Sequence, residues 1–392
     1  MPTPQTVLLV PDKFKGCLAA IDVCAELRRG LLQGLSTLDV VLRPTADGGD
    51  GTLDAALAAG FGSLTVVAAG PLIEARSARI GIRGSTALVE LAEICGLARL
   101  PEGQRSPMQA STYGVGLAMR GAIELGCRDL VVGIGGSAST DGGMGAAAAL
   151  GARILDQNGQ PVRPCGAGLS DVASVDLEPM LAVLGGVSLV VATDVDSPLT
   201  GEYGAAQVFA PQKGATAAQI AALEAGLENW AAHLITLAGV DVRRMPAAGA
   251  AGGFLAPLLA TDCVRVVSGA QYVLELTGTR QAIATADLVI TGEGSWDAQT
   301  STGKAPQAVV EAAGALGKPV IAVAGRFSDD ADLAGISACY SLTDLAGSDR
   351  DPINDARILL REIGARIAED LRRRSGGDDG GEFVIGEGSD HG

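Results

Sequence analysis

Short apolar, β-branched runs alternate with alanine-rich stretches along most of the chain. TVLLV (6–10), DVVL (39–42), ALVEL (87–91), DLVVGI (129–134), LVVAT (189–193), DLVIT (287–291) and VIAVAG (320–325) read as strands. Near-continuous apolar runs mark strands buried on both faces, and helical segments between them imply parallel sheets. The segment ARIGIRGSTALVEL breaks this rhythm and reads as an antiparallel hairpin turning near Gly84-Ser85. The expected fold is α/β with two domains. Residues 1–65 and 285–374 would form a doubly wound parallel-sheet domain, Rossmann- or flavodoxin-like. Residues 66–284 would form a second α/β domain inserted into it, and 375–392 a disordered, acidic, glycine-rich tail.

The polar stretches fall where these strands end, which is where open α/β sheets place their ligands. PDKFKG follows the first strand and sets Lys13 and Lys15 around Phe14 at a strand-to-helix turn, a pairing suited to a polyanion or to a plain solvated turn. ADGGDGT follows the second and spaces Asp47 and Asp50 around two glycines, as caps or as groups presented to a metal or substrate. GIGGSASTDGGMG brings Gly135, Gly136, Ser137, Ser139, Thr140 and Asp141 to the start of AAAALGA. TDVDSPLTG puts Asp194 and Asp196 two residues apart, on one side of an extended chain, as magnesium ligands, a general base or an Asx turn. Lys213 opens another helix in QVFAPQKGAT. TGEGSWDAQTSTGK crowds Glu293, Asp297, Gln299, Thr300 and Lys304 into one connection.

Composition narrows the chemistry. The chain of 392 residues carries 45 acidic and 29 basic side chains, a net charge of −16, which gives no electrostatic reason to hold nucleic acid or an anionic membrane. No apolar stretch is long enough to span a bilayer, and the opening MPTPQTVLLVPDK does not read as a signal peptide. Seven scattered cysteines without a C-x-x-C pair read as a reduced, cytoplasmic set. There are only two histidines, His391 in the tail and His233 in an amphipathic helical pattern. Acid–base work therefore falls to Asp, Glu or Lys. Carboxylates, lysines and glycine-lined N–H groups are the parts list of phosphoryl transfer.

Six motifs, PDKFKGCLAA, ADGGDGT, GIGGSASTDGGMGAAAALGA, DVDSPLTGEYGAAQVFAPQKGAT, GAAGGF and LVITGEGSWDAQTSTGKAP, resemble in the same order those of the bacterial (type 1) glycerate kinases. The similarity runs from Val7 to about residue 373; Asp50 stands where the family pattern has Glu, Cys17 where Ser is common, and Trp296 where an aliphatic residue is typical. The resemblance implies transfer of phosphate from ATP to D-glycerate, usually giving 2-phosphoglycerate, in a cleft between two domains. The family alone leaves open which of Asp194 and Asp196 is the base and which holds Mg2+. Lys13 and Lys15 are expected to act on phosphates or the substrate carboxylate. Glu293, Asp297 and Lys304 would complete the site. The glycine-rich loop would admit a small hydroxy acid or its incoming phosphoryl group, with Ser137, Ser139 and Thr140 donating and Asp141 capping the helix or reaching the substrate. A homodimer is the assembly considered.

Four rivals remain at this level. A 3-kinase or a non-catalytic hydroxy-acid sensor would share the scaffold. A serine hydrolase is suggested by GGSAS, but Ser139 stands where its elbow needs glycine and no suitable histidine follows. A dinucleotide oxidoreductase rests on GIGGSA, a weak signal in mid-chain.

Overall fold

The computed structural model describes residues 4–101, 103–298, 300 and 303–375. Gln299 lies outside the described residues. So does the tail expected at 375–392, apart from Ser375, which ends the helix Ala356–Ser375. Contacts divide the chain into two compact units, Met1–Ala46 with Ala270–Gly392, and Asp47–Gly269.

Strands are numbered along the chain. The first unit holds β1 (Thr6–Pro11), β2 (Asp39–Leu42), β11 (Leu288–Trp296), β12 (Val320–Phe327) and β13 (Ala338–Ser341), all parallel, in the order β13-β12-β11-β1-β2. Successive residues of β1 point to opposite faces, as strand geometry requires. Val7 and Leu9 join a core with Leu27 and Leu31 of the helix Ala20–Gly34 and Leu359 and Ile363 of Ala356–Ser375. Leu8 and Val10 join another with Ala308, Val309 and Ala312 of the helix Ala305–Gly314. Two cores, one on each face, make the sheet doubly wound. Relabelled in chain order the strands run 2-1-3-4-5, so the order reverses between β1 and β11. The crevice beyond the carboxyl ends of those two strands is where such a sheet receives a ligand.

The second unit has β3 (Gly62–Ala69), β4 (Ala75–Arg83), β5 (Thr86–Glu90), β6 (Asp129–Gly133), β9 (Ser188–Ala192) and β10 (Arg265–Val267), ordered β10-β9-β6-β5-β4-β3. From β5 to β10 the strands are parallel; β3, β4 and β5 are antiparallel. Arg83 pairs with Thr86, which leaves Gly84-Ser85 as the expected two-residue turn. A separate antiparallel pair joins β7 (Arg153–Leu155) to β8 (Ser174–Asp176). The expected histidine helix is present as Ala217–Ala238, where the His233 Nε2 lies 3.1 Å from the Val172 carbonyl, a packing role.

The unit boundaries differ from those expected at 65/66 and 284/285. Residues 47–65 belong with the second unit because the helix Thr52–Ala58 packs on β4 and β5: an added Cβ on Gly81 would stand 3.1 Å from the Leu53 side chain. Residues 270–284 belong with the first, since Ala270, Leu274 and Ile283 are part of the core on one face of its sheet.

Candidate active site

In the first unit, the ends of β1 and β11 carry the charged groups. The Asp12 N–H donates to the Gly292 carbonyl at 2.8 Å, so the chain just past β1 stays bonded to β11, which runs on. Lys13 Nζ lies 3.7 Å from Asp12 Oδ1, and the Lys13 N–H donates to the same oxygen at 2.6 Å. The expected placement of Lys13 and Lys15 at a helix start does not hold. Phe14 and Leu18 exchange backbone hydrogen bonds across a tight turn, and the helix begins only at Ala20. Lys15 is exposed at the tip of that turn.

Glu293 was expected in a loop; it is a strand residue instead, paired with Ala324, because β11 continues through GEGSW. An added Cβ on Gly294 would stand 3.2 Å from the Lys15 nitrogen, so the strand runs close against the 13–15 turn. Glu293 is mostly buried and accepts from Thr300 Oγ1 at 2.7 Å, while Thr300 Oγ1 in turn accepts the Asp297 N–H at 3.1 Å. Lys304, at the cap of the helix Ala305–Gly314, places Nζ 3.5 Å from Asp297 Oδ1 and 4.0 Å from Glu293 Oε2. The structure thus joins Glu293, Asp297, Thr300 and Lys304 in one half-buried network.

In the second unit, the carboxyl ends of β5, β6, β9 and β10 gather the remaining motifs. Asp194, just past β9, is exposed, and its Oδ1 accepts from Ser268 Oγ at 2.8 Å and from the Gly269 N–H at 2.9 Å. Two donors on one oxygen fix the direction of the carboxylate. Ser268 escaped sequence reading because the strand before it, β10, is only three residues long. Asp196 is exposed nearby in sequence, and among the described residues no three His, Cys, Asp or Glu side chains gather closely enough to hold a metal. Two carboxylates still suit Mg2+ in its usual mode, in which water and substrate phosphates fill most of the octahedron.

The glycine-rich loop is pressed by protein rather than cleared for a ligand. A Cβ on Gly133 would lie 2.5 Å from the Gly48 carbonyl oxygen, and one on Gly135 would lie 2.6 Å from Gly49 Cα. The turn carrying Asp47 and Asp50 therefore lies directly on this loop, with Gly48 also against the Ala192 carbonyl and Gly269. Beyond, a Cβ on Gly143 would stand 2.3 Å from the Phe254 carbonyl oxygen, and one on Gly145 2.4 Å from Ser111 Oγ. Asp47 Oδ1 accepts the Gly49 N–H at 3.0 Å; Asp50 is exposed.

Several residues expected to touch substrate are internal. Asp141 is wholly buried and accepts from the Thr112 N–H (2.7 Å), Thr112 Oγ1 (2.8 Å), the Gly145 N–H (3.2 Å) and the Gly143 N–H (3.3 Å). It ties residues 111–113 to the first turn after the loop, and burial pushes its carboxyl up from the ordinary value against those donors. The hydroxyls of Ser139 and Thr140 are buried without a partner and do not face outward. Lys213 is 2% exposed; its Nζ donates to Ser137 Oγ at 3.0 Å and to the Ser139 carbonyl, so it braces the loop from beneath. Burial lowers its ammonium to about 8, against the attraction of Asp141. Only Gly135, Gly136 and the edge of Ser137 keep any open surface.

Comparison with known proteins decides what this arrangement is. The profile of the glycerate kinase family matches residues 7–372. The chain belongs to the glycerate kinase family. A glycerate kinase of Halalkalibacterium halodurans is 37% identical over 370 residues, spanning 93% of this chain and 97% of that one. The glycerate 2-kinase of Escherichia coli K12 is 36% identical over 376 residues, 93% and 99% of the two chains. A crystal structure of a candidate glycerate kinase 2 from Salmonella typhimurium LT2 superposes with a TM-score of 0.81 at 34% identity, covering 94% of this chain and 99% of that one. Membership makes the protein a kinase, a phosphotransferase with an alcohol as acceptor. All seven cysteines are free, and no helix among the described residues is long and apolar enough to cross a membrane.

Proposed function

We propose that this glycerate kinase uses ATP to phosphorylate D-glycerate at its C2 hydroxyl, giving 2-phosphoglycerate and ADP. The observation that carries the reading is Asp194: a carboxylate at the end of a parallel strand, fixed by Ser268 Oγ and the Gly269 N–H, beside a backbone-lined loop. Asp194 would take the C2–OH proton as that oxygen forms its bond to the γ-phosphorus and the bond to the β-bridging oxygen breaks. Charge on the ADP leaving group is then met by cations, in the way lysine ammonium groups meet it in phosphoryl transfer. The Gly136 N–H and the Ser137 hydroxyl would hold the glycerate carboxylate. Asp196, and one oxygen of Asp194 in the nucleotide complex, would be ligands of Mg2+, which when bound neutralises phosphate charge.

Choice of the C2 oxygen draws support from the Escherichia coli relative, which is a glycerate 2-kinase. A coupled assay of ADP release tests the reading: turnover should require both D-glycerate and Mg-ATP. It should fall at least about 100-fold in Asp194→Asn, as loss of a general base does. ADP release unaffected by Asp194→Asn removes that residue from the base role.

A further inference from the structure

Glu90 is a buried acid that no motif reading selected, because ALVEL looks like an ordinary strand. It ends β5, pairs in register with Gly133 at the start of the glycine-rich loop, and is 3% exposed. Its Oε2 accepts the Leu53 N–H at 2.7 Å, and the Gly51 N–H lies close enough to favour the charged carboxylate. Leu53 stands in the first turn of the helix Thr52–Ala58, directly after the turn that carries Asp47 and Asp50. That same turn lies against Gly133 and Gly135, and Thr52 Oγ1 closes it internally on the Gly49 carbonyl at 2.7 Å. The charged groups facing Glu90 are the carboxylates of Asp50 and Asp54. Burial, with those two charges added, lifts the Glu90 carboxyl to about 7. A carboxyl kept in so unfavourable a place departs from what packing alone selects, and such departures gather where function constrains the chain.

We infer that Glu90 is a positioning residue: through its bond to the Leu53 N–H, at the start of the helix that follows, it sets where the Asp47–Asp50 turn rests on the glycine-rich loop, and so the geometry offered to glycerate. The inference rests on the kinase reading and adds to it a residue that touches no substrate.

The test compares Glu90→Leu, which fills the same space without an acceptor, with Glu90→Gln, which keeps one acceptor oxygen. In the full chain, Glu90→Leu should raise the KM for D-glycerate about tenfold or more, since displacements near 1 Å in a site cost up to about 100-fold. The KM for ATP should stay within about twofold, and Glu90→Gln should fall between parent and Leu variant. Hydrogen exchange at the Leu53 amide should speed up in Glu90→Leu and much less in Glu90→Gln. A glycerate KM unchanged in both variants, or glycerate and ATP constants rising together, overturns the inference. If Glu90→Leu does not fold, the same two criteria apply to Glu90→Gln with a threshold of about threefold. A parent protein with no glycerate turnover instead removes the kinase reading, and the exchange measurement still reports on the Glu90 bonds.

Discussion

Replacing Gly135 by alanine isolates the contact between the two loops of the second unit. Gly135 does not have a positive φ, so alanine can take its backbone conformation without strain. Only the new methyl matters, and it would stand 2.6 Å from Gly49 Cα. Carbon atoms in contact sit about 3.5–4.0 Å apart, so the loops must part by about 1 Å. The Gly135 N–H to Gly48 carbonyl bond, already 3.4 Å long, would then be lost. Overpacking of this kind costs about 1–3 kcal/mol of stability. A shift of 1 Å in the groups lining a site can cost about 100-fold in rate. Steady-state kinetics and thermal unfolding of Gly135→Ala are the assay, with Gly314→Ala as reference. Gly314 lies at a helix end, where an added Cβ meets nothing within 4 Å. The expected result is a tenfold or larger fall in kcat/KM for glycerate, on the order of the effect above, beside a near-neutral Gly314→Ala. Parental kinetics and parental Tm in Gly135→Ala would refute the reasoning that backbone contact explains this glycine.

Three further outcomes follow from the same geometry. Asp141→Asn puts an amide where four donors converge on a buried carboxylate; unfolding should show a loss of about 3 kcal/mol, with glycerate KM changed little if the variant is assayed well below its Tm. Lys213→Met removes the brace under Ser137 and Ser139; it should raise glycerate KM several-fold, and equal kinetics in Lys213→Met and parent would remove the brace from the account. Glu90 bears on pH: its folded-state carboxyl sits near 7, above the ordinary 4.5, so the folded protein holds a proton that the unfolded chain has released. That contribution is complete below pH 4.5 and is lost as pH rises toward 7, by about 3 kcal/mol at most. Denaturant titrations from pH 5 to 8 should show Glu90→Gln gaining stability relative to the parent across that window, and a constant difference would contradict the assignment.

Much of this was legible in the chain because parallel strands buried on both faces have a distinctive apolar signature. Strands β1, β2, β5, β6, β9, β11 and β12 all lie where those runs predict. What escaped were short or edge strands, β3, β7, β8, β10 and β13, whose exposed residues dilute the pattern, as in the burial of β3. The site was legible by motif but not by role. A glycine beside a serine reads the same whether a ligand or another backbone lies against it, and only the fold shows that Gly48 and Gly49 occupy that space. Asp141, Ser139, Thr140 and Lys213 look like ligand-binding groups in one dimension and prove to be interior ones. Conversely Ser268 and Glu90, which orient Asp194 and the Asp47–Asp50 turn, carry no local signal, because their partners are 74 and 37 residues away in sequence.

The proposed reaction transfers the γ-phosphoryl group of ATP to the C2 oxygen of glycerate. Phosphorus NMR of the purified protein with Mg-ATP and D-glycerate tests it most directly. The account predicts ADP and a new phosphomonoester signal split by a single carbon-bound proton, the mark of phosphate on C2. A phosphomonoester split by two such protons, or no new ester while ATP stays intact, would contradict it.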